Sequence, residues 1–386
     1  MNYCPKCRKK LVVQDFCVEC GADLSAYQQQ ENSGIDSFDF SSLGGAAQQL
    51  RQQLRDADFE ITNGVLTRYR GKDSNVVIPK GVVEIGNQAF SSNNHITSIS
   101  FPEGVRTIGF FAFSWCKNLT EAVLPSSVRT INDCAFRGCS SLRQLTLPAS
   151  LTTIGEEAFY DCEQLEQIRF EATGLRPLSE SSDSHYIFQN AGSKGCGITV
   201  TVAANVHSIP DYLFNSTGCN LTAVVFEPGS ICTSIGAFAF CTRDTLRSVQ
   251  LPHGLTTIGQ SAFMGAAISS ITIPSTVVKL GRCAFGGCKS LTSVTVPYGV
   301  TVLEDQMFSN CKSLVNVSLP NTLTRIGEMA FYSCDSLTEI VIPPNVTSIG
   351  SAAFFSCTKL ETVKVPDRVA THFYEYWSQP KNFIRY

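Results

Sequence analysis

Long apolar runs are missing from this chain of 386 residues. None approaches the ~20 residues that a membrane-crossing helix needs. A strong net charge is missing as well: 33 acidic against 30 basic side chains leave −3, which excludes a large electrostatic pull toward nucleic acid or a membrane surface. No phosphate-cradling glycine loop, nucleophile elbow or pair of helical metal-binding histidines is present. The histidines, His95, His185, His207, His253 and His372, fall at unrelated positions, none beside a nucleophile and base. His185 and Tyr186, close to Asp183, read as solvated loop residues. A non-enzymatic protein is therefore expected. The opening Met1-Asn2-Tyr3-Cys4-Pro5-Lys6-Cys7 carries no apolar core of a secretory signal. That points to the cytoplasm, with the cell surface as the alternative.

What the chain does have is a period. Prolines fall at Pro79, Pro102, Pro125 and Pro148, and again at Pro274, Pro297, Pro320, Pro343 and Pro366, each step within a run being 23 residues. Phenylalanines keep the same beat at Phe90, Phe113, Phe136 and Phe159, then at Phe285, Phe308, Phe331 and Phe354. A fixed period of this length marks a repeat architecture. In Leu142-Arg143-Gln144-Leu145-Thr146-Leu147-Pro148 the final residues alternate with period two, as a strand with one buried face does. The proline ends it because it cannot donate to a ladder. A second apolar cluster, Ile154 to Phe159, follows a polar turn. Gly155 there is expected to supply a turn conformation that a Cβ disfavours, and Glu304 at the equivalent place suggests a coil that turns differently. One coil cannot bury its own apolar face, so stacking is required.

The repeat I-G-x-x-A-F-x-x-C-x-x-L-x-x-V-x-L-P, over roughly residues 58–366, resembles the BspA-like leucine-rich repeats of many bacterial surface and gut-commensal proteins. The stretch Phe59 to Phe90 is similar to that family's usual first coil. The resemblance implies a curved leucine-rich-repeat solenoid with a parallel β-sheet on one face, and brings no catalytic residues. With the phenylalanines as markers, about 12 coils of about 23 residues are expected, Phe188 being the doubtful one.

Residues 1–23 carry the strongest chemical motif. Cys4-x-x-Cys7 and Cys17-x-x-Cys20 form two knuckles, each pointing two thiolates at one ion, which suits one structural, tetrahedral Zn2+ per chain with no open position for catalysis. A redox pair or a disulfide framework is the alternative reading; paired knuckles without a signal segment favour metal. The segment is similar to the short zinc ribbons that open many bacterial proteins. In so short a module the metal would supply most of the folding free energy. Lys6, Arg8, Lys9 and Lys10 are offset by Asp15, Glu19 and Asp23, so nucleic acid is disfavoured as a partner. Residues 24–57, rich in Gln, Ser and Gly, read as a flexible linker whose last part can form a short capping helix.

Seven further cysteines, Cys116, Cys139, Cys162, Cys288, Cys311, Cys334 and Cys357, stand three residues after a repeat phenylalanine. Buried packing is their expected role. The register breaks over 171–234, an irregular insertion and the first place to look for a specific site. An exposed strand column, Ser100, Val123, Thr146, Arg169, Gln250, Thr272, Thr295, Ser318, Val341 and Lys364, offers a smooth, weakly charged surface. Residues 367–386 drop the repeat and turn aromatic, as a C-terminal cap would. The function expected is a protein–protein interaction module or scaffold; a bacterial surface adhesin is the alternative.

Overall fold

The computed structural model describes residues 57–176, 186–241, 244–370 and 382–386. Two compact units make up the chain, Met1–Glu60 with Tyr69–Asp73, and Ile61–Arg68 with Ser74–Tyr386. In the first, Phe59 packs against Tyr69 with ring centroids 4.9 Å apart, and the Arg70 N–H donates to the Asp58 carbonyl at 2.8 Å. The 1–23 segment and almost all of 24–57 lie outside the described residues.

The second unit is a parallel β-solenoid of about 13 turns. Most turns pass through two ladders. The expected sheet is the longer one: Asn75–Val77, Ser98–Ser100, Glu121–Val123, Gln144–Leu147, Gln167–Phe170, Ile198–Val202, Leu221–Phe226 and Ser248–Gln250 pair in parallel as eight neighbouring strands. Their register repeats one coil at a time, Leu145 beside Ile168 and Ile168 beside Val200. The Thr-Ile-Gly cluster builds a second ladder of two-residue strands, including Thr107–Ile108, Thr130–Ile131 and Thr153–Ile154. So short a strand gives only a faint period-two signal, which is why the sequence reads as a single sheet.

Phenylalanine holds the centre. Phe90, Phe113, Phe136 and Phe159 stack ring on ring at 4.8–5.4 Å. The same column runs on through Phe188, Phe214 and Phe240 to Phe354. Phe188 is thus a full member of the stack, and the 171–234 segment is coils of unequal length rather than a break. The long ladder crosses it without interruption, Ile198–Val202 lying between Gln167–Phe170 and Leu221–Phe226. Residues 177–185 of that segment lie outside the described residues. At the far end, Asn382–Arg385 pairs in parallel with Thr362–Val365, adding one more strand where a cap was expected. Of the aromatic residues assigned to that cap, Phe373, Tyr374, Tyr376 and Trp377 fall outside the described residues.

The repeat glycine is needed for a reason other than the expected one. Gly155, Gly259 and Gly350 have ordinary negative φ, but a Cβ on them would lie 2.3–2.6 Å from the backbone of the preceding coil. Their role is close approach. The left-handed conformation falls instead on residues two before the phenylalanine: Gln88, Phe111, Cys134, Glu157, Tyr212, Phe238, Ser261, Cys283, Gln306, Met329 and Ala352, all with φ of 50–60°. Each such residue costs roughly 1–2 kcal/mol relative to an ordinary helical φ. In return its N–H turns along the stack axis, as Cys134 does in donating to the Glu156 carbonyl at 2.8 Å. Where Glu304 replaces the glycine, the short ladder is interrupted. Lys279–Leu280 ends one sheet and Val302–Leu303 begins the next.

Gly155→Ala should therefore destabilise the solenoid by about 1–3 kcal/mol through overpacking. Gly254, around which a Cβ meets nothing within 4 Å, should accept alanine with no loss or a gain of about 0.4–1 kcal/mol. Urea unfolding of the two variants, followed by circular dichroism, checks the contrast; equal effects would sink the close-approach account.

Candidate interaction surface

The cysteine column is spent on the stack. Cys116, Cys139 and Cys162 are fully buried, and their thiols donate to the carbonyls of Phe90, Phe113 and Phe136, one coil back, at 3.1–3.4 Å. Cys288, Cys311, Cys334 and Cys357 do the same to Phe263, Phe285, Phe308 and Phe331. Burial pushes the Cys116 and Cys311 thiols up to about 12 and raises that of Cys139 well above its usual range. A thiol held neutral is a poor nucleophile and a poor metal ligand. These residues carry no chemistry toward solvent.

Two outer surfaces bear on protein binding. The predicted strand column is exposed or half-buried along its length, with Val123 and Val341 at 59% and 48%. It carries one charged cluster. Arg169 pairs with both Glu171 and Glu227, reaching across the intervening strand, where Thr201 stands beside it. The Glu227 Oε2 also accepts from the Ala204 N–H at 3.1 Å. Hydrogen bonds from Arg169 hold the Glu227 carboxyl below the usual carboxylate range. The ion cluster thus fastens the irregular coils together on the outer face.

The other surface is the turn edge around the phenylalanine stack, which sequence reasoning missed. Phe110, Phe111 and Trp115 are 42%, 39% and 41% exposed on a single coil. The Trp115 ring lies over Gly138 of the next coil so closely that a Cβ there would meet it at 2.4 Å. Lys117 sits over the same ring at 5.9 Å, and Arg137 over Tyr160 at 4.6 Å. Farther along, Tyr212 stacks on Phe238 and Tyr332 on Phe355. The signal for this edge is an aromatic at a turn position next to the invariant phenylalanine. The apolar pattern of the core hides it.

The predicted zinc ligands Cys4, Cys7, Cys17 and Cys20 lie outside the described residues. Among the described residues, no group of three or more His, Cys, Asp or Glu side chains is placed to hold a metal. His95, His207 and His253 are exposed and belong to separate positions of the coil. No helix among the described residues is long and apolar enough to cross a membrane.

A stack of two-ladder coils on a phenylalanine spine, with its thiols turned inward, is a leucine-rich-repeat solenoid. The chain belongs to the BspA-type leucine-rich repeat family: a profile described as the BspA type leucine rich repeat region matches residues 68–182, 207–281 and 256–379 in six copies. Among solved structures, a leucine-rich repeat protein from Bacteroides ovatus aligns with a TM-score of 0.52 at 23% identity, over 83% of this chain and 87% of that one. A leucine rich cell surface protein from Faecalibacterium prausnitzii gives a TM-score of 0.36 at 23% identity, over 85% and 92%. The pneumococcal vaccine antigen PcpA gives 0.35 at 19%, over 81% and 79%. No curated protein matches the chain.

The raised thiols predict an alkaline weakness. Their folded-state values lie above the ordinary value of 9.0, so the stability they contribute is complete below about pH 9. It falls as pH rises toward about 12, because the unfolded chain ionises its thiols first. Urea midpoints should drop between about pH 7 and about pH 10, and less so in a Cys139→Ala, Cys311→Ala variant. An unchanged pH profile in that variant would contradict the assignment.

Proposed function

We propose that this protein is a non-enzymatic scaffold that binds another protein through its solenoid, with an N-terminal zinc ribbon as a separate structural module. One observation carries the scaffold reading: the cysteine column and many hydroxyls are spent on holding coil to coil, while exposed columns remain on the outside. The column cysteines donate to carbonyls, threonines such as Thr120 and Thr324 donate to the coil before, and Arg169 is held by two carboxylates. Of the exposed columns, the turn edge at Phe110, Phe111 and Trp115 fits a protein best, since exposed aromatics flanked by Arg and Lys are what binding hot spots are made of.

The zinc ribbon rests on the spacing of Cys4, Cys7, Cys17 and Cys20 and on the chemistry of four thiolates. Among the described residues no disulfide is formed, and Cys196 is exposed. Buried thiols stacked in a column and donating to carbonyls fit a reducing compartment, which favours an intracellular scaffold over a surface adhesin.

Elemental analysis of the purified chain should give one zinc, lost in a Cys4→Ser, Cys7→Ser variant while the solenoid's thermal transition stays in place. Absence of zinc from freshly purified protein would remove the ribbon. For the scaffold, Phe111→Ala with Trp115→Ala should lower capture of the binding partner from lysate by about tenfold, as loss of a hot-spot pair does, without changing the unfolding transition. Unchanged capture would move the binding surface elsewhere. Surface labelling of intact cells separates the intracellular reading from the adhesin.

A further inference from the structure

We infer that a column of basic side chains on the short-ladder face binds a linear anionic polysaccharide. The residue two before the short strand's buried aliphatic recurs from coil to coil, and backbone hydrogen bonds align Val83, Arg106, Arg129, Thr152 and Arg176 at this place. Arg106 N–H donates to the Val83 carbonyl, Arg129 to Arg106, Thr152 to Arg129 and Arg176 to Thr152, at 2.8–3.1 Å. His207 holds the same place in the next coil, and its carbonyl accepts from Thr233 at 2.9 Å. Five consecutive coils therefore read Arg106, Arg129, Thr152, Arg176 and His207. Beyond them the column turns neutral, as Thr233, Thr256, Val278, Thr301, Thr324 and Thr347. At about 4.8 Å per coil, the basic segment spans about 19 Å.

These arginines differ from the five that are held by carboxylates. Arg106, Arg129 and Arg176 are all exposed, and none forms an ion pair among the described residues. Arg70, Arg137, Arg143, Arg169 and Arg325 each do. Glu103, the nearest carboxylate along the chain from Arg106, accepts instead from Ser126 Oγ. Stacked like charges repel, and in a protein of net charge −3 three guanidinium groups in one file, with no ion pair among the described residues, gain from a polyanion that neutralises them. Guanidinium forks match carboxylate and sulfate oxygens bidentately.

The surroundings select the kind of polyanion. Residues flanking the column are hydroxyl-bearing, with Thr107, Thr130 and Thr153 on one side and Ser126, Ser127 and Ser150 on the other. A single-stranded nucleic acid would want aromatic platforms between the cations, and the column holds none. Hydroxyls and guanidinium groups repeating along an axis fit a carboxylated or sulfated glycan lying across the coils. This assignment stands apart from the protein-binding edge at Trp115 and does not depend on it.

The test uses the full chain and a fluorescein-labelled heparin decasaccharide, followed by fluorescence anisotropy at physiological ionic strength. One variant carries Arg106→Thr, Arg129→Thr and Arg176→Thr, a residue this column already holds in other coils. A charge-matched control carries Arg247→Thr, Arg282→Thr and Arg368→Thr, which are exposed elsewhere. Wild type should bind, the column variant should lose about tenfold or more in affinity, and the control should stay within about twofold. Both variants should keep the wild-type unfolding transition. An oligouridylate of similar length should compete poorly. The inference is overturned by absent binding, by equal losses in the two variants, or by oligouridylate binding as tightly as the glycan.

Discussion

Everything in the solenoid depends on how closely one coil approaches the next. Parallel strands settle at about 4.8 Å, and the chain meets that distance by different devices at different points of the turn. Where backbone meets backbone beside the short ladder, glycine is required because a Cβ would collide with the coil before it. In the interior, flat rings stacked at 4.8–5.9 Å make phenylalanine a spacer of nearly the same thickness. At the turn edge, a left-handed residue aims its N–H at the next coil's carbonyl. Cysteine serves beside the spine because its thiol is small enough to be buried and still donates to a carbonyl.

This shared constraint explains which parts of the fold were legible and which were not. Period, phenylalanine spine, cysteine burial and long ladder all follow from residues recurring at fixed spacing, since each recurrence faces its own copy one coil away. The short ladder did not follow, because two residues are too few to alternate. The glycine was recognised as special, but its reason was misassigned: sequence shows that no side chain is tolerated and does not show whether φ or a neighbour forbids it. Phe188 looked doubtful because the count from Phe159 departs from 23. In the structure the two rings stack at 5.4 Å regardless. Coil length varies at its loops; the stack constrains only the points of contact.

The candidate surfaces were less legible for a related reason. A repeat makes conserved-looking columns out of core positions, so attention goes to what recurs. Binding surfaces arise where a column changes along the stack. Trp115 stands at a place that other coils give to Ser92, Asp161 or Ser333, and Arg129 at a place given elsewhere to Thr256 or Thr347. Both departures are confined to the N-terminal half of the solenoid. In the exposed strand column the main departure, Arg169, is bonded within the protein.

Pairing therefore distinguishes the surfaces more sharply than exposure does. Arg169 and Arg129 both stand on outer faces of the solenoid and carry the same charge, yet one is fixed between Glu171 and Glu227 while the other has no carboxylate within ion-pair reach among the described residues. A guanidinium committed to two carboxylates offers a ligand little, because binding would first have to break those contacts. An unpaired one in a file of its own kind gains on neutralisation and loses only loosely held water. The same logic separates the inward thiols, already satisfied by carbonyls, from the aromatic edge, whose rings are satisfied on one face and open on the other. In a fold where stacking consumes most side chains, the residues left uncommitted by it are the ones with energy still available for a partner.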